Sequence, residues 1–192
     1  MLITILVILL SIAADQVSKH FLAAFLTGLE TRSYPLIPDF LHLTYVENRG
    51  AAFGMLAEHR WVFMVFSVVG IAAILLLLIK EKPTNRWVQV AAGLVVGGGI
   101  ANMIDRVRLG YVVDFIDCRF VDFYVFNVAD SCVTVGCAIY FVVVLVEEIR
   151  AYRKKKAAGE AAGEAEESAE TDESEESAAS AVSDTEEGHG DA

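Results

Sequence analysis

WVFMVFSVVGIAAILLLLI, Trp61–Ile79, runs nineteen residues without a charged side chain. About 20 mostly apolar residues in helical form cross the hydrocarbon core of a bilayer. In lipid, only a helix or a closed barrel pairs its backbone polar groups internally. The stretch therefore predicts a transmembrane helix, and three other segments follow its pattern. Trp87–Ile104 is eighteen residues long, with Gln89 and Asn102 as its only strongly polar side chains. Phe126–Val146 is charged only at Asp130, and residues 2–26 are interrupted by Asp15, Lys19 and His20. The first segment lacks a basic start, and its Ala13-Ala14 runs straight into Asp15, so it reads as a retained helix and not a cleaved signal peptide. The expected fold is an all-α membrane protein, a four-transmembrane-helix bundle with spans at about 2–26, 61–79, 87–104 and 126–146.

The charge is unevenly spread. The chain of 192 residues is 55% hydrophobic with a net charge of −11, but residues 157–192 hold 13 acidic residues and no Lys or Arg. Removing those 13 from the total of 26 leaves 13 acids against 15 bases, a net of +2 for residues 1–156. The acidic stretch has no aromatic residue and a single Val, too little apolar area to offset its ordering entropy, so it reads as disordered. A membrane domain is thus expected over 1–149, with a basic stop and the acidic tail over 150–192.

Lys80, Lys82 and Arg86 crowd the link between the second and third spans, and Arg150, Arg153 and Lys154 to Lys156 follow the fourth. The positive-inside rule makes both groups cytoplasmic, and with four spans both termini as well. Residues of about 27–60 and 105–126 then share the external side. There, Leu41, Leu43 and Tyr45 alternate with His42, Thr44 and Val46 before the turn signal Asn48-Arg49-Gly50, which predicts a strand in a small sheet resting on the membrane surface. A short interfacial helix is expected from Glu58. Cys118, Cys132 and Cys137 form no CxxC, and His20, His42, His59 and His189 have no zinc spacing, so neither a disulfide scaffold nor a metal site is indicated.

Against this apolar frame, YVVDFIDCRFVDFYVFNVADS (residues 111–131) carries Asp114, Asp117, Asp122 and Asp130. A carboxylate near hydrocarbon is costly. Asp114 and Asp130 flank the loop joining the last two spans, so the chain can bring them to one depth. Two adjacent carboxylates drive their pKa values apart, letting one take a proton from water while the other gives one to a carbonyl. Asp117 and Asp122 read as ordinary loop charges. Asn127 stands three residues before Asp130 and can cap the fourth span. Asn102 and Arg106, four apart, share a helix face. The Arg can hold a carboxylate ionised or snorkel beside Asp105, and Asn102 can bind a peptide backbone. Asp15 and Lys19, also four apart, read as an ion pair tying the first span to the bundle. Ser18 and Lys19 are adjacent and cannot face each other on a helix, which argues against a Ser–Lys protease.

Four strings now stand in order: DQVSK, NRGAAFG, GGGIANMIDRVRLGYVVDFID and FNVADS. Together they closely resemble the lipoprotein signal peptidases (signal peptidase II), over about residues 10–148. The resemblance implies a bacterial inner-membrane aspartic endopeptidase, active near the outer membrane–water boundary. Such an enzyme removes the signal peptide from prolipoproteins just before a diacylglyceryl-modified cysteine. It implies Asp114 and Asp130 as the catalytic dyad. Asn48, Gly50, Asn102, Arg106, Asn127 and Ala129 would shape the substrate groove, with Asp15 and Lys19 in support. It also implies inhibition by globomycin, contact with membrane lipid, no cofactor or metal, no nucleic-acid partner and a monomer. The loop CRFVDFYVFNVAD lacks the Trp or Pro that members often carry there, and the acidic tail lies outside the family pattern. Two rival classes are a transporter or proton channel and a non-catalytic scaffold. The first is disfavoured by the absence of an internal repeat and by polar residues gathered at one end of the bundle. The second predicts normal function after Asp114→Asn.

Overall fold

The computed structural model describes residues 1–50, 60–121 and 123–156. Four expectations therefore fall outside the described residues: Ala51–Gly54 of the second string, the helix from Glu58, Asp122, and the acidic tail. The described elements run α1 Leu2–Thr27, β1 Ser33–Ile37, β2 Leu41–Asn48, α2 Arg60–Glu81, α3 Arg86–Arg108, β3 Val112–Cys118 and α4 Val128–Lys156. All four helices are long and apolar enough to cross a membrane, in keeping with the expected four-helix class. Residues Met1–Val143 form one compact unit. The second begins at Val144 and is described through Lys156 as helix with exposed side chains.

Within the first unit α3 is the central helix, although it is the least hydrophobic in composition. The reason is the run Gly97-Gly98-Gly99. Successive residues on a helix point about 100° apart, so three consecutive glycines open three faces at one level. A Cβ on Gly97 would lie 2.8 Å from Cβ of Ser11 on α1, and one on Gly99 would lie 3.1 Å from Cδ1 of Ile71 on α2. One on Gly98 would run into the backbone oxygen of Ala129 at the start of α4. Small residues give helices this close approach in lipid, where the hydrophobic effect no longer drives them together. The outward side chains of α1 and α2, among them Leu2, Leu10, Phe21, Phe66 and Leu76, are exposed and apolar, as a lipid-facing surface requires.

The three strands form one antiparallel sheet in the order β1-β2-β3. Gly110, at φ 85°, turns the chain from the end of α3 into β3, a backbone conformation that suits glycine. β2 includes the expected alternation over 41–46 but continues to Asn48. β1 and β3 have no counterpart in the sequence reading, which treats 105–126 as loop. β3 is buried along most of its length, so its residues do not alternate in polarity. Its register sets Val46 against Asp114 and Asn48 against Val112. That brings the end of β2 to the first half of β3, beside the start of α4.

Candidate active site

Where α3, β3 and the start of α4 converge, the protein buries an unusual number of polar side chains. Asp114 is 1% exposed, Asn102 8% and Asn127 fully buried. Buried polar groups must find partners, and here the partners determine the geometry.

Asn127 caps α4. Its Oδ1 accepts from the Asp130 N–H at 2.9 Å, while the Asp130 Oδ2 accepts from the Asn127 N–H at 3.3 Å. This reciprocal pair is the capping-box arrangement with Asn and Asp in the two roles, and it holds the Asp130 side chain at the helix start. With its oxygen so occupied, Asn127 turns its NH2 to Asp114 Oδ1 at 2.6 Å and to Asn102 Oδ1 at 3.1 Å. One asparagine therefore touches both aspartates.

The same logic orients two more amides. The Asn48 Oδ1 accepts from the Gly50 N–H at 3.2 Å, leaving its NH2 to donate to Asp114 Oδ2 at 2.9 Å. Asn102 donates through Nδ2 to Asp130 Oδ1 at 2.7 Å. All four carboxylate oxygens of Asp114 and Asp130 thus accept a hydrogen bond from an amide. Burial nonetheless pushes the Asp114 carboxyl up to about 6, against the Asn48 hydrogen bond, with the nearby Asp130 charge adding to the rise. The Arg106 guanidinium, half-buried one turn beyond Asn102, lies in electrostatic reach of Asp130, Asp114 and Asp105.

Beneath this layer sits a second acidic pair. Lys19 on α1 bridges Asp15 Oδ2 and Asp105 Oδ2, each at 2.8 Å, with all three side chains buried. Asp15 also accepts from the Ala129 N–H at 2.9 Å, which ties α1 to the first turn of α4. Gln16 donates to Asp105 Oδ1 at 2.8 Å, and the Val113 N–H donates to Asp105 Oδ2 at 3.3 Å.

The structure gathers all ten sequence-predicted residues at one end of the bundle: Asp15, Lys19, Asn48, Gly50, Asn102, Arg106, Asp114, Asn127, Ala129 and Asp130. Two residues had weaker sequence signals than their contacts warrant. Asp105 reads as a partner for the adjacent Arg106, yet its oxygens go to Lys19 and Gln16. The clue was its position three residues after Asn102, on the same face. Asp117 is not a loop charge. It lies in β3, 7% exposed, accepting from Thr44 Oγ1 at 2.7 Å and pairing with Arg119 at 2.8 Å. No group of three or more His, Cys, Asp or Glu side chains suited to a metal occurs among the described residues.

A family model described as signal peptidase (SPase) II matches residues 7–146. The chain belongs to the signal peptidase II family. A lipoprotein signal peptidase of Streptococcus pyogenes serotype M1 is 41% identical over 144 residues, covering 75% of this chain and 93% of the relative. That of serotype M5 (strain Manfredo) has the same identity and coverage. Two solved bacterial membrane enzymes, both determined by the in meso method, are similar in fold. The one at 2.3 Å resolution has a TM-score of 0.69 at 35% identity, over 76% of this chain and 88% of that one. The one at 1.9 Å has a TM-score of 0.67 at 36% identity, over 74% and 92%. With its four apolar helices, this member of the family is a multi-pass bacterial membrane protein and a peptidase.

Proposed function

We propose that the chain is an aspartic endopeptidase that cleaves diacylglyceryl-modified prolipoproteins just before the lipidated cysteine. Asp114 and Asp130 would be its reacting pair. The observation that carries this reading is the Asn127 bridge, which holds a buried carboxylate, Asp114, and a half-buried one, Asp130, from different elements in one hydrogen-bonded unit. Of the two, Asp114 is the one whose carboxyl burial raises, so we assign it the shared proton in the reactive form and assign Asp130 as the base. A water oxygen attacks the scissile carbonyl carbon while Asp130 takes a water proton and Asp114 gives its proton to the carbonyl oxygen. The tetrahedral intermediate then collapses. Asp130 passes the proton to the departing nitrogen, the C–N bond breaks, and Asp114 recovers its proton from the hydroxyl. No covalent enzyme intermediate or metal enters the sequence.

Asn48, Gly50, Asn102, Arg106, Asn127 and Ala129 border the substrate groove, and the apolar helices receive the acyl chains within membrane lipid. The placement of Lys and Arg supports cytoplasmic termini and a site near the outer membrane–water boundary, reached by a substrate cysteine anchored in the outer leaflet. Residues 1–149 would be the catalytic domain and 150–192 an appended tail, on a monomer sensitive to globomycin.

The test is cleavage of a diacylglyceryl-modified prolipoprotein by the purified wild-type chain, Asp114→Asn and Asp130→Asn in detergent. Asp117 is too well partnered to serve as a control. Asp39 is exposed and sits at φ 58°, a conformation Asn tolerates, so Asp39→Asn is the control. Loss in both dyad variants with folding and the control intact supports the reading. Normal cleavage by Asp130→Asn overturns it.

A further inference from the structure

The Lys19 ammonium has three hydrogens and three recorded partners. Two are the Asp15 and Asp105 carboxylates, and those contacts answer its charge. The third is Asn102 Oδ1 at 3.0 Å, and this contact reaches toward the reacting pair. An ammonium donates and never accepts, so the Asn102 atom that faces it is the carbonyl oxygen. The NH2 must then face the opposite way, where it donates to Asp130 Oδ1 at 2.7 Å. Turned over, the amide would set N–H against the ammonium and oxygen against a carboxylate, two repulsions in place of two attractions. The Asn127 NH2 at the same oxygen favours the same orientation. A cation on the carbonyl oxygen also draws electron density from the amide, which makes its N–H a stronger donor.

We propose that Lys19 is a positioning residue for peptide-bond cleavage: acting through Asn102, it fixes and polarises the amide that holds the Asp130 carboxylate. Asp15 and Asp105 are in turn the clamps that keep the ammonium in place, one from α1 and one from α3. Around Asp130, Asn102 and Arg106 come from α3, Asp114 from β3 and Asn127 from the start of α4, so Lys19 reaches it through a neighbour. This inference rests on the assignment of Asp114 and Asp130 as the reacting pair.

Lys19→Met alone strands two buried carboxylates and can unfold the chain, so the decisive variant is Asp105→Asn/Lys19→Met. It leaves Asp15 as the only charge of the trio, the same net −1 as in the wild type. The full chain in detergent is assayed on a diacylglyceryl-modified prolipoprotein, with thermal unfolding as a check on folding. Relative to Asp105→Asn, the double variant is expected to lose on the order of 10²-fold in kcat, as when one preorganised donor is removed. KM should stay within about threefold, the sign that binding is spared. In an Asn102→Ala/Asp105→Asn background, adding Lys19→Met should cost less than about threefold in kcat, because the relay is already cut. An unchanged kcat, or the same loss in both backgrounds, overturns the proposal. Normal cleavage by Asp130→Asn in the same assay overturns the underlying assignment instead.

Discussion

Two acidic pairs lie next to each other in this bundle, one buried throughout and one with Asp114 buried and Asp130 half-buried, and they are treated in opposite ways. Asp15 and Asp105 share one ammonium, with both oxygens of each at short distance from Lys19, Gln16 or a backbone N–H. Asp114 and Asp130 are met by amides: three asparagine side chains and one backbone N–H. An ammonium at 2.8 Å fixes charge, and a pair so held serves as scaffold. Amides orient a carboxylate without neutralising it, which leaves it able to exchange a proton. The residue type is the same in both pairs, and the partner decides what the pair does.

The largest expected effect tests that difference directly. Asp114→Asn should lower the cleavage rate by at least about 10³-fold, the scale of losing a general acid. Asn keeps the shape and carries no charge, but its NH2 must face the NH2 of Asn48 or Asn127, a loss of about 1–3 kcal/mol. Lys19→Met should do the reverse of a clean catalytic lesion and strike stability first. Breaking a buried ion pair by removing one partner costs about 3–5 kcal/mol, and here two carboxylates are left behind. Thermal unfolding in detergent should show a large drop for Lys19→Met and a smaller one for Asp114→Asn. Equal drops would erase the contrast between the pairs.

A third prediction uses pH. Asp114 lies at about 6 in the folded chain against an ordinary 3.8, so the folded state binds its proton more tightly than the unfolded state does. That contribution to stability is full below about 3.8 and is lost as pH rises through about 6, a change on the order of 3 kcal/mol. Melting temperatures of wild type and Asp114→Asn, compared from pH 4 to pH 8, isolate it from the other acids. The wild type should lose ground to the variant as pH rises across this window. A constant difference would mean that Asp114 titrates alike in both states.

What could be read from the sequence follows the range of the interactions. The four spans were legible because hydropathy is a local property. Asn127 before Asp130 was legible because a helix cap is written in consecutive residues. The strand β2 showed through its alternation, while β3 did not, because a strand buried on both faces has no polar side to alternate with. The short β1 contains Pro35, which weakens any strand signal. Asp105 illustrates the limit best. Its nearest opposite charge in sequence is Arg106, but α1 and α3 pack so closely at Gly97 that Lys19, 86 positions earlier, reaches it at 2.8 Å. No local pattern encodes a contact of that kind.

That close packing supplies the smallest effect and the test of why α3 is central. At Gly98 a methyl group would meet the backbone of Ala129 and Val133 Cγ2, and a backbone cannot rotate out of the way as a long side chain can. Gly98→Ala must therefore shift the start of α4 away from α3, at a cost of roughly 1–3 kcal/mol for an overpacked site. The shift is aimed at the site, since Ala129 and Asp130 are adjacent and Asn102 lies one turn from Gly98 on the same face. The Asn102–Asp130 contact at 2.7 Å should lengthen, and kcat should fall on the order of tenfold while KM changes less. Gly99→Ala is the comparison, because its methyl would press on the tip of Ile71, a flexible side chain on the far side from the dyad. If Gly99→Ala lowered kcat as much as Gly98→Ala, loosening of the whole bundle would explain both. A loss confined to Gly98→Ala would mean that the missing side chain there sets how near the α4 carboxylate comes to the amide that holds it.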